Sequence, residues 1–285
     1  EALLVSLSLR DTIRVGVNMR ALIDGDLLVY ECSAVAEYPK DEPISPFDFV
    51  IEVFHNKLRD MLKAVDCTDY TMYLTGKGNF REQVAVTKPY KGNRKGEKPF
   101  HYNNLRAYIM SMPDSVMIEG MEADDALAIN QTEDTIICSR DKDLRMVAGW
   151  HYGWESGQQG EFGPYQFTKH GELHLSENRK KLTGGGLMFF YSQLLTGDST
   201  DNIPGLKGYG PAKSYDILCE CKDEYELFDA VSVAYEDQHQ DKFEEYMLEQ
   251  GRLLWMVNQL NEDGSPVMWE LPMYVWKPEE GLKDV

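Results

Sequence analysis

SVMIEGMEADDALAIN, residues 115 to 130, changes character halfway along. Ser115-Val116-Met117-Ile118 is a short apolar run suited to a strand, and the run from Ala126 to Ile129 continues as a helix. Between them Glu122, Asp124 and Asp125 crowd three carboxylates into four positions. Like charges held a few ångströms apart repel and raise one another's pKa. Such a cluster needs a compensating cation or a capping role. A strand that passes through an acidic turn into a helix is the building unit of an α/β fold.

The same unit recurs on either side. MRALID (19–24) reads as a buried strand ending in a carboxylate, and YTMYL (70–74) as a second strand. SPFDFVIEVFHNKLRDMLKAV (45–65) has Phe47, Val50, Phe54, Leu58, Met61 and Leu62 at helical spacing, with Ser45 available as cap and Pro46 in the first turn. A helix is expected from about Tyr102 to Met112, and DTIICS (134–139) is a further strand, followed by Arg140-Asp141-Lys142-Asp143. Alternation of this kind indicates an α/β domain with a mainly parallel sheet. After the turn signal Gly184-Gly185-Gly186 the pattern becomes helical in GLMFFYSQLL, PAKSYDILCE, DEYELFDAVSVAYE and DKFEEYMLEQGRLLWM. The expected organisation is a leader outside the fold at 1–18, an α/β domain at 19–185, a helical subdomain at 186–260 and an acidic tail at 261–285. Trp269 and Tyr274-Val275-Trp276 suggest one strand in that tail.

Composition narrows the function. With 285 residues, 42% hydrophobic and 27% charged, the chain has a sizeable core and no apolar run long enough to span a membrane. Its five cysteines are scattered without a CxxC pair, which favours a reducing, cytoplasmic setting over a disulfide framework or a zinc ribbon. The net charge of −19 argues against a nucleic-acid partner only until its distribution is considered. From Asp216 onward there are 18 acids and 5 bases. Residues 1–215 carry 30 acids and 24 bases, and eight of those acids are candidate ligands or their neighbours. Local sign steers a charged ligand more than the total does.

The acids gather at strand ends: Asp24, then Glu122, Asp124 and Asp125, then Asp141 and Asp143. Ligands of open α/β sheets bind outside the carboxyl ends of strands, so three loops can deliver six carboxylates to one place. Asp198 and Asp201, in TGDSTDNIPG, form a fourth, turn-like group. Taken singly, Glu122 and Asp124 also suit a helix N-terminus, and Asp198 and Asp201 an ordinary turn. Taken together, oxygen donors without neighbouring His or Cys suit Mg²⁺ or Mn²⁺. More carboxylates than one ion requires point to two ions, an arrangement that can clamp both oxygens of a phosphodiester displacement.

Residues 76–98 form a long loop with Lys77, Arg81, Lys88, Lys91, Arg94, Lys95 and Lys98 against Glu82 and Glu97, a composition suited to phosphate neutralisation beside an aromatic. A solvated surface loop is the plainer alternative. In GLKGYGPAKSYDIL (205–218), glycines allow close backbone approach, and Pro211 suits the first turn of a helix whose free N–H groups can face a phosphate. HGELH (170–174) is not a zinc motif and reads as a hairpin; Cys219 and Cys221 read as packing residues on a helix.

IDGD, PYKGNR, EGMEADD, SRDKD and GDSTDNIPGLKGYGPAK occur in an order that resembles the 5′-nuclease family of bacteriophage 5′–3′ exonucleases, flap endonucleases and the 5′-nuclease domain of bacterial DNA polymerase I. The phage-exonuclease branch is the most similar, and the resemblance runs from Met19 to about Leu218. It implies a PIN-like sheet followed by a helix-hairpin-helix DNA-binding subdomain. It implies metal ligation by Asp24, Glu122, Asp124, Asp125, Asp141, Asp143, Asp198 and Asp201, with Asp24 and Asp125 counted among the catalytic groups and two Mg²⁺ or Mn²⁺ as cofactors. Lys91 and Arg94 would contact the reacting phosphate, Tyr90 would stack on a terminal base, and Lys88 would belong to the same gateway. Lys207, Gly208, Gly210 and Lys213 would grip duplex backbone, at an element that in relatives often carries K⁺. The implied activity is hydrolysis of DNA at or near 5′ ends, leaving 5′-phosphate products. The implied partner is duplex DNA with a 5′ end or flap, or an RNA–DNA primer junction, met by a monomer in the cytoplasm, that of the host if the chain is phage-encoded. One departure stands out: Thr75 or Gly76 occupies the place where the family has an Asp after its second strand, with Asp26 as a weak substitute. That leaves open a DNA-binding scaffold weakened in catalysis, and a PIN-like ribonuclease.

Overall fold

The computed structural model describes residues 19–272. The expected leader at 1–18 and the strand suggested at Tyr274–Trp276 lie outside the described residues. The first half comprises β1 (Arg20–Asp24), α1 (Gly25–Val35), α2 (Phe47–Ala64), β2 (Asp69–Thr75), α3 (Arg81–Val84), α4 (Tyr102–Met110), β3 (Ser115–Ile118), α5 (Ala123–Ile129), β4 (Thr135–Cys138), β5 (Gly149–Gly153), β6 (Phe162–Phe167), β7 (Glu172–Leu175) and β8 (Leu182–Gly185). The second comprises α6 (Gly186–Thr196), β9 (Gly197–Asp198), β10 (Ile203–Pro204), α7 (Pro211–Leu218), α8 (Glu224–His239) and α9 (Phe243–Leu254).

Six strands form one sheet in the order β3-β2-β1-β4-β5-β6. All neighbours are parallel except β5 and β6. The mainly parallel α/β sheet with a helical C-terminal region is thus present as read from the sequence. Strand alternation divides the core. Ile23, Met72, Leu74, Ile136 and Cys138 face α1, α2 and α4 on one side of the sheet. Leu22, Tyr73 and Ile137 face the other side, against Leu127 of α5, Phe190 of α6, Tyr235 of α8 and Met247 of α9. The second cluster runs across the boundary near residue 185, so the C-terminal helices complete the core over one face of the sheet. Chain order reverses between β1 and β4, which makes the crevice outside their carboxyl ends the topological switch point.

Local differences from expectation have local causes. Pro46, not Ser45, caps α2, and no side chain bonds to its free N–H groups. The amide of Ser45 instead donates to the Ala36 carbonyl, and its carbonyl bonds to His101. The strands β5 and β6 escape the sequence reading because GWHYG and FGPYQF carry glycine and proline where alternation should be. Proline is tolerated in β6 because the strand lies at the sheet edge. HGELH does belong to a hairpin, with β7 pairing antiparallel to β8.

The turn between α6 and α7 depends on backbone proximity. A Cβ on Gly205 would lie 2.2 Å from the Thr196 carbonyl carbon and 2.3 Å from the Gly197 nitrogen. Neither contact can be relieved by a side-chain rotation. Gly205→Ala is therefore expected to cost about 1–3 kcal/mol in urea unfolding, the usual range for overpacking. An unchanged midpoint would show that this turn moves without penalty.

Candidate active site

A cleft of about 1410 Å³ lies outside the carboxyl ends of the central strands, lined by Asp24, Glu122, Asp124, Asp141, Asp143 and Asp201. Each is delivered by a different local device. Asp24 ends β1 and caps α1: one oxygen accepts from the Leu27 amide at 3.0 Å and the other from the Ser139 hydroxyl at 2.7 Å. Asp124 stands in the first turn of α5. Asp141 follows β4 and accepts the Asp143 amide at 2.8 Å, which orients the turn leading into the Asp143–Met146 helical turn.

The electrostatics divide these acids into two kinds. Asp24, Asp124 and Asp141 are short of positive charge. Burial raises the Asp24 pKa to about 7, with Asp26 and Asp141 adding to the shift. Burial, then Asp24, Asp141 and Glu122, push Asp124 well above the carboxylate range. Burial and the nearby Asp201 raise Asp141. The remaining acids are held by lysines. Burial works to raise Glu122, yet Lys91 and Arg81 bring it below the usual range. Lys91 pairs with Glu122 and lies 3.7 Å from Asp201, which also accepts from Arg94 at 2.6 Å. Lys142 lies 2.8 Å from Asp198 and 3.4 Å from Asp143. Burial would raise Asp198, and Lys142 lowers it. Burial and Asp141 carry Asp143 up to about 8 despite Lys142 and the Gln193 amide. With the lysines in these places, no three His, Cys, Asp or Glu side chains among the described residues stand arranged around a common ion position. The donors themselves, all carboxylate oxygens with three of them lacking a cation, are of the kind that hard divalent ions take.

The basic loop is tied down over this cleft. The Lys91 amide donates to the Asp201 carbonyl at 2.9 Å, Asn93 donates to the Ser199 carbonyl at 2.6 Å, and Asn202 donates to the Pro89 carbonyl at 2.8 Å. Lys91 itself sits at φ 53°, a left-handed conformation that costs a non-glycine residue about 1–2 kcal/mol and is maintained by these contacts. At the stem, Glu249 of α9 accepts from the Val86 and Thr87 amides, both at 2.7 Å, and from the Thr87 hydroxyl at 2.5 Å. Lys88 is exposed on this loop.

One expectation is corrected. Asp125 does not face the cleft. Its carboxylate is fully buried against Arg81 in a two-pronged pair at 2.6 and 2.7 Å, and also accepts the amides of Glu122 and Val257. It sits one position from Asp124, about 100° further round the helix, and so turns away from the cleft. Tyr90 is half-buried: its hydroxyl lies 2.8 Å from Glu122 and 2.9 Å from Asp201, where its one proton is shared between the two carboxylates, and its ring packs at the edge of the core. Asp26 lines the cleft beside Thr75: it accepts from Arg106 at 2.7 Å and from the Thr75 amide at 2.9 Å, while the Thr75 hydroxyl accepts from the Ala123 amide at 2.9 Å. Arg106, which escaped the sequence reading, thus lines the cleft from α4; a single arginine on a short amphipathic helix gave no signal for this. The hairpin residues Lys207, Gly208, Gly210 and Lys213 are absent from the cleft lining. Lys207 exchanges two backbone bonds with the Gln238 side chain, at 3.0 and 2.8 Å. Lys213 lies 3.4 Å from the Tyr209 ring centroid. A Cβ at Gly208 or Gly210 would meet open space, so nothing in the chain blocks approach to their backbone.

The site is an acid-lined, lysine-bridged crevice beneath a cationic loop. Among solved structures, the chain is similar to the bacteriophage T5 D15 protein co-crystallised with metal ions, at 15% identity and a TM-score of 0.44, over 82% of this chain and 98% of that one. It is similar to the T5 D15 flap endonuclease in complex with DNA and metal ions, at 14% identity and a TM-score of 0.44, with the same coverage. It is also similar to a mutant of the T5 5′-exonuclease, at 15% identity and a TM-score of 0.41, over 83% of this chain and 99% of that one. No family model and no curated protein matches the sequence.

Two outcomes follow from this geometry. Breaking a buried ion pair from one side leaves the other charge uncompensated, so Arg81→Met is expected to cost about 3–5 kcal/mol in urea unfolding, and Arg81→Met with Asp125→Leu to recover part of it. The raised acids make a folded metal-free protein hold protons that the unfolded chain releases, so their contribution to stability falls as pH rises from about 4 through about 7 for Asp24. In EDTA, the wild type is therefore expected to lose stability relative to Asp24→Asn between pH 5 and 8. Parallel pH curves would contradict a burial-raised Asp24.

Proposed function

We propose that the protein is a divalent-metal-dependent nuclease that hydrolyses DNA phosphodiesters at or near 5′ ends. The observation that carries this reading is the three carboxylates Asp24, Asp124 and Asp141, in no ion pair among the described residues and sharing one crevice with a lysine-bearing loop. Asp24, Asp124, Asp141 and Glu122 are the residues to hold one Mg²⁺ or Mn²⁺, and Asp143, Asp198 and Asp201 a second. When bound, such ions activate water and neutralise charge on the phosphodiester.

The chain's own groups have separable tasks. Lys91 and Arg94 are held by carboxylates that the ions would neutralise, and are thereby freed to face the phosphate. There they stabilise charge that develops on its oxygens. The Ser139 hydroxyl and the Leu27 amide fix the orientation of Asp24. The loop and the 197–204 hairpin exclude bulk water by closing on one another. The open backbone around Gly208 and Gly210 suits contact with a duplex phosphate, and backbone carbonyls there suit K⁺. The protein acts on DNA as a monomer in this reading.

Thr75 supports a second reading. Its hydroxyl stands where a further carboxylate would add charge, and Arg106 engages the nearby Asp26. A scaffold that binds DNA with weakened cleavage has this character. A 5′-labelled flap and a blunt duplex, each with Mg²⁺, separate the two: cleavage supports the nuclease, and retained binding without cleavage supports the scaffold. In the nuclease, Lys91→Ala is expected to lower turnover on the order of 10²-fold with a much smaller change in duplex affinity. Equal losses in both would make Lys91 a binding residue only.

A further inference from the structure

The geometry points to a phosphate-binding subsite at Arg145, in the lining of the cleft. Arg145 follows Asp143 by two positions and lines the same cavity as the acids. Its guanidinium carbon lies 4.0 Å from the centroid of the Phe162 ring. Stacking of this kind holds the planar fork in place and leaves its N–H edge free. That edge has no protein acceptor among the described residues. Every other described arginine donates to one, from Arg20 on the Tyr70 carbonyl to Arg252 on Glu270. A half-buried cation with unused donors facing a cleft is matched by an anion with several oxygens.

The surroundings select the anion. Lys181 and Thr183 of the β7–β8 hairpin line the same wall, and Lys180 is exposed on its turn. Asp141 and Asp143 are the carboxylates whose charge acts on Arg145, yet neither accepts a hydrogen bond from it, and Glu161, also in the lining, interacts with the Tyr152 phenol. A phosphate with two free oxygens meets the planar fork of Arg145 as a bidentate partner and Lys181 as a point charge. Because the subsite and the acids share one cavity, the ligand is a phosphodiester of the polynucleotide whose neighbouring phosphate reaches the acids. This assignment rests on the nuclease reading for its ligand, and on Arg145 itself for the site.

The test is binding of a 5′-flap duplex in EDTA across a salt series, read by fluorescence anisotropy. Arg145→Ala is expected to weaken binding roughly tenfold at low salt and to make the slope of log affinity against log salt shallower by about 1. Arg145→Lys should keep the slope while losing part of the affinity, since an ammonium cannot form the fork. Arg59→Ala, on exposed α2, removes the same charge away from the cleft and should match the wild type. Should Arg145→Ala fail to fold, Arg145→Gln removes the charge and keeps a stem against Phe162. A slope and affinity equal to the wild type in the charge-removed variant would overturn the subsite. If the wild type binds no DNA, the nuclease reading fails, and inorganic tripolyphosphate then decides the subsite alone. Thermal stabilisation of the wild type that is lost in Arg145→Ala would retain it, and its absence in both would remove it.

Discussion

Loss of water around Asp24, Asp124 and Asp141 is the constraint around which the rest is arranged. These carboxylates come from three chain segments into one crevice, Asp24 buried and Asp124 and Asp141 half-buried; desolvation raises the pKa of each, and neighbouring carboxylates add to it. Such a cluster persists only if the scaffold fixes its backbone independently. The parallel sheet does so, with β1 pairing β2 and β4 in continuous register so that Asp24 and the turn after Cys138 end side by side. A sheet buried on both faces cannot shift by one residue without exchanging its two cores. The energy that resists relaxation of the acids therefore comes from apolar packing some distance from them.

Lysines shape the outer half of the site. Lys91 and Lys142 each bridge two carboxylates, one pair on each side of the crevice. Both acids in each pair come from different segments, so the lysines also hold the 197–204 hairpin against α5 and against the turn after β4. A cation entering the crevice competes with these ammonium groups for the same oxygens. Release of Lys91 would leave its backbone still fastened to the Asp201 carbonyl, so that its side chain moves while its position over the crevice is kept.

Much of this was legible because the signals were local. A strand ending in an acid, an acid turn opening a helix and a glycine-rich turn each occupy a few consecutive residues, and the structure confirms the strands and helices that carry them. What escaped was decided by direction or distance. Asp124 and Asp125 are adjacent and chemically alike, and only the helical rotation between them separates a cleft-facing acid from one buried against Arg81. Arg81 reads in the sequence as one more base of the loop. Its partner lies 44 positions away and its carbonyl acceptors more than 170, a separation that no periodicity reports. The strands β5 and β6 were missed because glycine and proline interrupt their alternation, in β6 at the sheet edge, and with them went the strand that carries Phe162.

The placement of Arg81 explains why the acidic C-terminal helices belong to the site. Its guanidinium donates to Asp125 of α5 and to the carbonyls of Leu253 and Trp255, while the Val257 amide closes the circuit on Asp125. Glu249, one turn earlier on α9, holds the loop at Val86 and Thr87. The stem of the cationic loop, the helix that presents Asp124 and the end of α9 are thus one hydrogen-bonded unit. Glu249 thereby fixes the stem of the loop through two backbone amides and the Thr87 hydroxyl, and Lys91 and Arg94, further along the loop, pair with Glu122 and Asp201 over the crevice. The acidic last quarter of the sequence thus meets the basic loop at its backbone, while two of the loop's bases meet acids of the crevice.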